Sequence, residues 1–308
     1  MSSKMPLKVM KAIRLEDEYS KRTGITPEDI AKLRQWLKTQ PHLPEEHITD
    51  LDLILAYHCC NRSSELAKQV LDLNLTLRTL FTNYFENRKV DDQIERVFND
   101  IVLTVLPART SEGYAILYTH LTNYDPKQFN FGLAIRAALM ILDLCQLQDG
   151  TWPGFLIVLD FEGVTLGHIA RLDLQNIQQF LYYIQEAILV KLKGMHFLNA
   201  PSFIDKLLLM MKPFLKKQLM DALHIHTTGS STVEKFVSLA AFPKESGGEY
   251  KSYREIQDDV LENMRENKDF FENENKKRVT EAHRPGKPKT ITDIFGGVEG
   301  SFKKLEID

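Results

Sequence analysis

GMHFLNAPSFIDKLLLMMKPFL, from Gly194 to Leu215, is the stretch on which the reading of this chain turns. Met195 to Leu198 is a short apolar run between Gly194 and the turn residues Asn199-Ala200-Pro201, which reads as a buried strand and a turn. Pro201 suits the first turn of a helix, where its missing N–H costs nothing. The helix that follows carries Phe203, Ile204, Leu207, Leu208, Leu209, Met210 and Met211, and its only charges before Lys212 are Asp205 and Lys206. A surface helix shows one apolar stripe; this one is apolar around most of its circumference. Either it is an ordinary core helix buried on both sides, or one side meets something that is not protein. A greasy ligand beneath a movable helix fits the second description.

Outward from that stretch, strands and helices alternate. Gly113 to Leu121 is a strand candidate, and residues 131–148 a helix with Leu133, Ile135, Ala138, Leu139, Leu142 and Leu147. Phe155-Leu-Ile-Val-Leu159 is an unbroken apolar run, as in a strand covered on both faces, closed by Asp160-Phe-Glu-Gly163. A helix over about 173–190 carries Leu174, Ile177, Phe180, Leu181, Ile184 and Ile188, and His224-Ile-His226 reads as a last strand. This alternation predicts an α/β domain with crossover helices over residues 96–275. An amphipathic helix is expected over about 252–272.

Residues 1–95 read as a separate helical domain. Thr26-Pro27-Glu28-Asp29 is a helix start, with Ile30, Leu33, Trp36 and Leu37 at helical spacing after it. Asp50 or Asp52 is expected to cap a second helix, and a third begins near Ser63. Residues 276–308 are basic and contain Pro and Gly, as a linker-like tail does, although Ile294, Phe295, Phe302 and Leu305 suit docking back on the domain.

The net charge of −3 gives no reason to expect nucleic acid. The three cysteines, Cys59, Cys60 and Cys145, make no disulfide framework and suit a reducing compartment. The N-terminus lacks a continuous apolar run and no window holds ~18 uninterrupted apolar residues, so a cytoplasmic protein is expected, at most a transient visitor to membranes.

Few motifs carry chemistry. Asp160 and Glu162 follow a strand, with His168 close behind, and could cap the turn or serve as catalytic groups. No Gly-x-Ser-x-Gly, phosphate loop or dinucleotide fingerprint occurs. His224 and His226 share a strand face, but no Cys or carboxylate beside them completes a metal set, so no metal and no cofactor is expected. Lys191, Lys193, Lys206, Lys212, Lys216 and Lys217 flank the greasy helix, where a basic rim attracts anionic headgroups or is simply solvated.

The order Gly154-Phe-Leu-Ile-Val-Leu-Asp160-Phe-Glu-Gly163, His168, Gln185-Glu186, Lys191-Leu-Lys-Gly194, His196-Phe-Leu-Asn-Ala-Pro201, Lys212-Pro-Phe-Leu215, His226 and Pro243…Gly247-Gly248 resembles the CRAL-TRIO lipid-binding domain. Leu33-Arg-Gln-Trp-Leu37…Gln40-Pro-His-Leu-Pro44 looks like that family's N-terminal helical domain, and the tail is similar to insect members of the α-tocopherol transfer protein-like branch. The resemblance implies a sheet flooring an apolar pocket, a helical gate above it, and no covalent chemistry. Its pocket positions fall on Ile135, Ala138 and Leu142; on Phe155, Ile157 and Val164; on Phe180, Tyr183, Ile184 and Ile188; and on Leu192 and Met195. Its gate falls on Phe203, Ile204, Leu207, Leu208, Met210, Met211 and Phe214. Of its four headgroup-binding basic positions Lys191 and Lys193 are kept, and Lys216 and Lys217 lie beside the lost pair.

Ala138 and Leu142 stand where the tocopherol binders have serines, so the expected pocket is dry. The implied function is to bind one lipophilic molecule (of the tocopherol, retinoid, carotenoid, sterol or phospholipid class) and move it between membranes. Rival expectations are a storage protein presenting a retinoid or carotenoid to an enzyme, a phosphoinositide-reading adaptor, and a lipid hydrolase using Asp160, Glu162 and His168.

Overall fold

The computed structural model describes residues 11–296; the first ten residues, and Phe302 and Leu305, lie outside it. The N-terminal helices begin where their caps dictate. Pro27–Leu37 starts on Thr26, whose hydroxyl accepts from the Asp29 N–H while the Asp29 carboxylate accepts from Thr26. Asp50–Cys59 is capped by Thr49, not by the expected Asp50 or Asp52. Asp52 sits three residues in, and its carboxylate reaches back to the Thr49 N–H at 2.7 Å. Ser63 caps Ser64–Leu80. Ile30, Leu33, Leu37, Leu53, Ile54, Leu71 and Leu75 pack as one buried cluster. Further along the Ser64–Leu80 helix, Leu77 belongs to the core under the sheet, so this helix serves both interiors.

Among the elements that went unread in the sequence are two beside the sheet. Asp92–Asp100 is a helix, and Ile101–Val105 is a strand, β1. The others are β2 (Ala115–Leu121), β3 (Phe155–Asp160), β4 (Leu192–Ala200) and β5 (Leu223–Thr227). The sheet order is β1-β2-β3-β4-β5, with β1 antiparallel to β2 and all later neighbours parallel. The fold is α/β with a mixed sheet. Three crossovers follow one another in one direction, and same-handed crossovers put their helices on a single face. Those helices are Phe131–Asp149, Leu174–Glu186 and Ile204–Met211. The opposite face is covered by Val233, Val237, Phe242 and Ile256 against Ile116, Tyr118, Leu156 and Val158.

Phe131–Asp149 is long and apolar enough to cross a bilayer by length and composition, yet Ala137, Leu139, Met140 and Ile141 are buried in the core beneath the sheet. The single helix expected over 252–272 is two, Tyr253–Glu266 and Lys268–Glu274. Asn267 breaks it: its side chain donates to the Asn263 carbonyl, competing with the backbone.

Residues 277–296 pack closely instead of trailing as a linker. Lys277 bonds Asp52 at 2.8 Å, Arg284 bonds Asp72 at 2.9 Å, and the Phe295 ring stacks 6.0 Å from Phe81. Their partners lie largely on the N-terminal helices, and Lys277 also pairs with Glu274 of the preceding helix. Beside them Arg78 and Arg88 share Asp143 and Glu274 in a buried network. Burial pushes the Glu274 carboxyl up, but Lys277, Arg78 and Arg88 outweigh it and hold it at about 2.

Removing one member of a buried ion network leaves its partners charged and unpaired, so Arg78→Ala should cost about 3–5 kcal/mol in urea unfolding. Because the Glu274 value is depressed on folding, its contribution is complete above the ordinary 4.5 and fades as pH falls toward 2. Glu274→Gln should accordingly flatten the acid limb of a stability–pH curve.

Candidate functional site

Side-chain alternation directs the floor of the site. On β1 Ile101 and Leu103, on β2 Leu117, Thr119 and Leu121, on β3 Ile157 and Leu159, and on β4 Met195 and Phe197 all face one cavity. They stand in cross-strand rows, Leu117–Ile157–Met195 and Leu103–Thr119–Leu159–Phe197. Phe131, Ala134, Ile135 and Ala138 form one wall, Ile177, Phe180 and Leu181 another, and Leu207 and Met211 the roof.

The volume open to the centres of water-sized spheres is about 190 Å³. An engineered cavity of roughly 150 Å³ lined by Leu, Ile and Phe stays dry and takes up benzene. The present cavity is larger and mainly lined by carbon, so its chemistry suits an apolar guest better than water.

Among the expected pocket positions, Ile135, Ala138, Ile157, Val164, Phe180 and Met195 line this cavity. Leu142, Phe155, Ile184 and Ile188 are buried in the surrounding core, with Leu192 partly buried against it. Tyr183 is buried too, but its hydroxyl accepts from Asn74 Nδ2 at 3.0 Å and its ring lines a separate polar cavity beside Arg78 and Asp143. The physical reason is a level in the sheet. Phe155 pairs with Leu192 at the N-terminal ends of β3 and β4, while the lining begins one row on, at Ile157 and Met195. The cavity thus occupies the C-terminal half of the sheet.

Of the expected gate, Ile204, Leu207 and Met211 are buried, and Phe203, Leu208, Met210 and Phe214 pack partly buried against the core. Leu209 points outward and is 71% exposed. The helix is held at both ends. Before it, Asn199 adopts φ 49° and donates to Asp160 at 2.8 Å. After it, Gln185 donates to the Phe214 carbonyl at 2.9 Å and accepts from the Lys216 N–H at 2.8 Å.

The lysines are partly occupied. Lys191 bonds Asn61, Lys193 lies 5.5 Å over the Tyr114 ring, and Lys216 pairs with Glu186. Lys217 opens the short helix Lys217–Met220.

The suspected catalytic residues are taken up by structure. Asp160 accepts from Glu162 N–H, Asn199 and Tyr118. Burial pushes its carboxyl up, but His120, Asn199 and the Glu162 N–H hold it below the usual range. His120, Asp160 and Glu162 bring ligand atoms within 4.8 Å of one another, though Asp160 is already engaged by those three donors. His168 Nδ1 accepts from the Thr165 N–H at 3.1 Å. On the other sheet face His196 stacks on His224 and bonds His226 at 3.1 Å. Burial, then the two neighbouring rings, lowers His196 to about 3, so that ring packs neutral.

Residues 100–248 match the family model described as the CRAL/TRIO domain. The chain carries a CRAL/TRIO domain. Residues 25–94, ahead of that domain, match a model described as a Pinta-like UBA domain. Clavesin-1 of Xenopus laevis is 26% identical over 239 residues, 77% of this chain and 72% of that protein. The alpha-tocopherol transfer protein-like protein of Mus musculus is 24% identical over 199 residues, 64% of this chain and 53% of its own length. The crystal structure of Sfh5 aligns at TM-score 0.46 and 16% identity, covering 66% of this chain and 76% of that one.

The CRAL/TRIO cavity includes residues that pattern reading passed over: Ile101 and Leu103 on the unread strand, and Phe129, Phe161 and Leu172 on the connections; His168, singled out as a catalytic candidate, lines it as well. The alternation Leu117-Thr119-Leu121 was a usable signal; the loop residues gave none. If Ala138 borders open space, Ala138→Phe should escape the usual overpacking cost of about 1–3 kcal/mol and change the urea midpoint little. The same replacement at buried Ala137 should incur that cost.

Proposed function

We propose that this chain binds one lipophilic molecule between the sheet and the Ile204–Met211 helix, and exchanges it with membranes by swinging that helix aside. CRAL-TRIO proteins bind and transfer lipophilic ligands. The observation that carries the reading for this chain is an apolar cavity of about 190 Å³ under a single helix. Pockets for drug-sized ligands span roughly 300–1,000 Å³, so a lipid-sized guest requires the roof to move. Burying ~300 Å² of apolar ligand surface would yield about 7 kcal/mol before ordering costs. That suffices to retain a molecule with negligible solubility in water.

The roof suits such motion. Its inner face seals the cavity with Leu207 and Met211, and its outer face offers Leu209 to a bilayer. Hydrogen bonds through Asn199 and Gln185 mark its two ends as hinges. Exposed Lys193, Lys216 and Lys217 would favour an anionic surface, while the internal partners of Lys191 and Lys216 favour orientation over tight headgroup recognition. A tocopherol-like ligand is one member of the proposed class, following the name of the mouse relative. Binding without covalent chemistry fits the separate structural partners of Asp160 and His168.

Transfer of labelled retinoid, sterol and tocopherol between liposomes tests the proposal. Leu209→Asp should slow transfer at least several-fold while unfolding shifts by less than about 0.5 kcal/mol, the usual range for a surface change. Added salt should weaken vesicle association, because screening shortens the reach of the lysines. Unchanged transfer in Leu209→Asp would remove the roof helix from the membrane step.

A further inference from the structure

The cavity wall is apolar but not uniformly so. Thr119, His120, Asp160 and His168 join it where β2 and β3 end, so its polar groups gather at one end. Asp160 is spent on Tyr118, Asn199 and Glu162, and His120 Nδ1 stands 3.4 Å from Asp160 Oδ2. His168 differs. The residue is 3% exposed, its ring lies edge-on to Phe129 at 5.7 Å, and its Nε2 has no hydrogen-bond partner among the described residues.

The tautomer of this ring follows from its other nitrogen. A backbone N–H can only donate, and Thr165 N–H points at His168 Nδ1 from 3.1 Å. Nδ1 is therefore an acceptor and carries no hydrogen, so in the neutral ring the proton sits on Nε2. The Thr165 hydroxyl also lies 3.0 Å from this Nδ1 and, in this tautomer, donates to it. Nε2–H is thus a buried donor, on the side of the ring away from the cap, in a residue of the cavity wall. Leaving such a donor unbonded is costly. A water would need two to four polar partners, and this wall is mainly carbon.

We propose that His168 Nε2–H is the polar anchor of the ligand site, and that the ligand is a hydrocarbon body bearing an acceptor oxygen, a carbonyl or hydroxyl, at the end held near β2 and β3. This rests on the proposed binding function and narrows it. Purely hydrocarbon guests would leave the donor unbonded, and an anionic headgroup would meet the Asp160 carboxylate there. It also relocates the polar contact. The serine positions of tocopherol binders are Ala138 and Leu142 here, and the donor comes instead from the connection after β3.

Two probes of one shape test the assignment on the full chain: acetophenone, and α-methylstyrene, in which CH2 replaces the carbonyl oxygen. Both are close to benzene in girth, as a cavity of this size requires. In the wild-type protein the infrared carbonyl stretch of bound acetophenone should fall below its value in cyclohexane, and the ¹⁵N signal of His168 Nε2 should respond to the ketone but not to the alkene. The ketone-to-alkene affinity ratio should drop about tenfold in His168→Phe, the worth of one buried hydrogen bond to a neutral group. Binding of both probes with an unshifted carbonyl band and an unchanged ratio would overturn the His168 assignment and leave the apolar site standing. Binding of neither probe would overturn the site itself. If His168→Phe does not fold for want of the Thr165 contact, the wild-type infrared band decides alone.

Discussion

A single geometric rule carries this structure: successive residues of a strand point to opposite sides of the sheet. Applied to four adjacent strands in register, it sends Leu117, Ile157 and Met195 to one face and Ile116, Leu156 and Val158 to the other. The crossover connections all lie over the first face, because each new strand is added on the same side of the last. A floor of Ile, Leu and Met therefore meets helices whose facing residues are also apolar. The cavity lies where those helices stand off the floor, toward the strand ends from which the crossovers depart.

A polar network outside the cavity ties one of its wall helices to distant parts of the chain. Arg78 and Arg88 grip Asp143 on the Phe131–Asp149 helix and Glu274 near the end of the last long helical run. Lys277 extends the grip to Asp52 in the N-terminal helices, and Arg284 to Asp72. Buried charges of this kind add little net stability, since desolvation offsets most of their attraction. They do penalise any arrangement that separates them. One wall of the cavity is thus clamped from behind by ion pairs, whereas the roof helix is held at its ends by hydrogen bonds through the amides of Asn199 and Gln185.

Much was legible beforehand. The unbroken run Phe155 to Leu159 announced a strand covered on both faces, and the surplus of Leu and Met between Ile204 and Met211 announced a helix with apolar contacts on more than one side. The strand Ile101–Val105 was missed because its five residues directly follow a helix with no Gly or Pro between them. The tail was misjudged because composition records basic and Pro-rich character but not the acids, Asp52 and Asp72, that wait for it far back in the chain. Phe155 and Leu192 were expected to line the site, and they share its face, but they lie one row below its boundary.

His168 marks the division between the two kinds of knowledge. The sequence alone determined the strands, their covered faces, the greasy roof helix and the family, because periodicity and residue order are properties of the chain itself. Only the tertiary structure decided how far the cavity extends, which lysines already have partners, and that the His168 ring lines the cavity with its Nδ1 turned back to Thr165. Those depend on which distant segments come together, and distances between segments far apart in the chain leave no trace in local pattern.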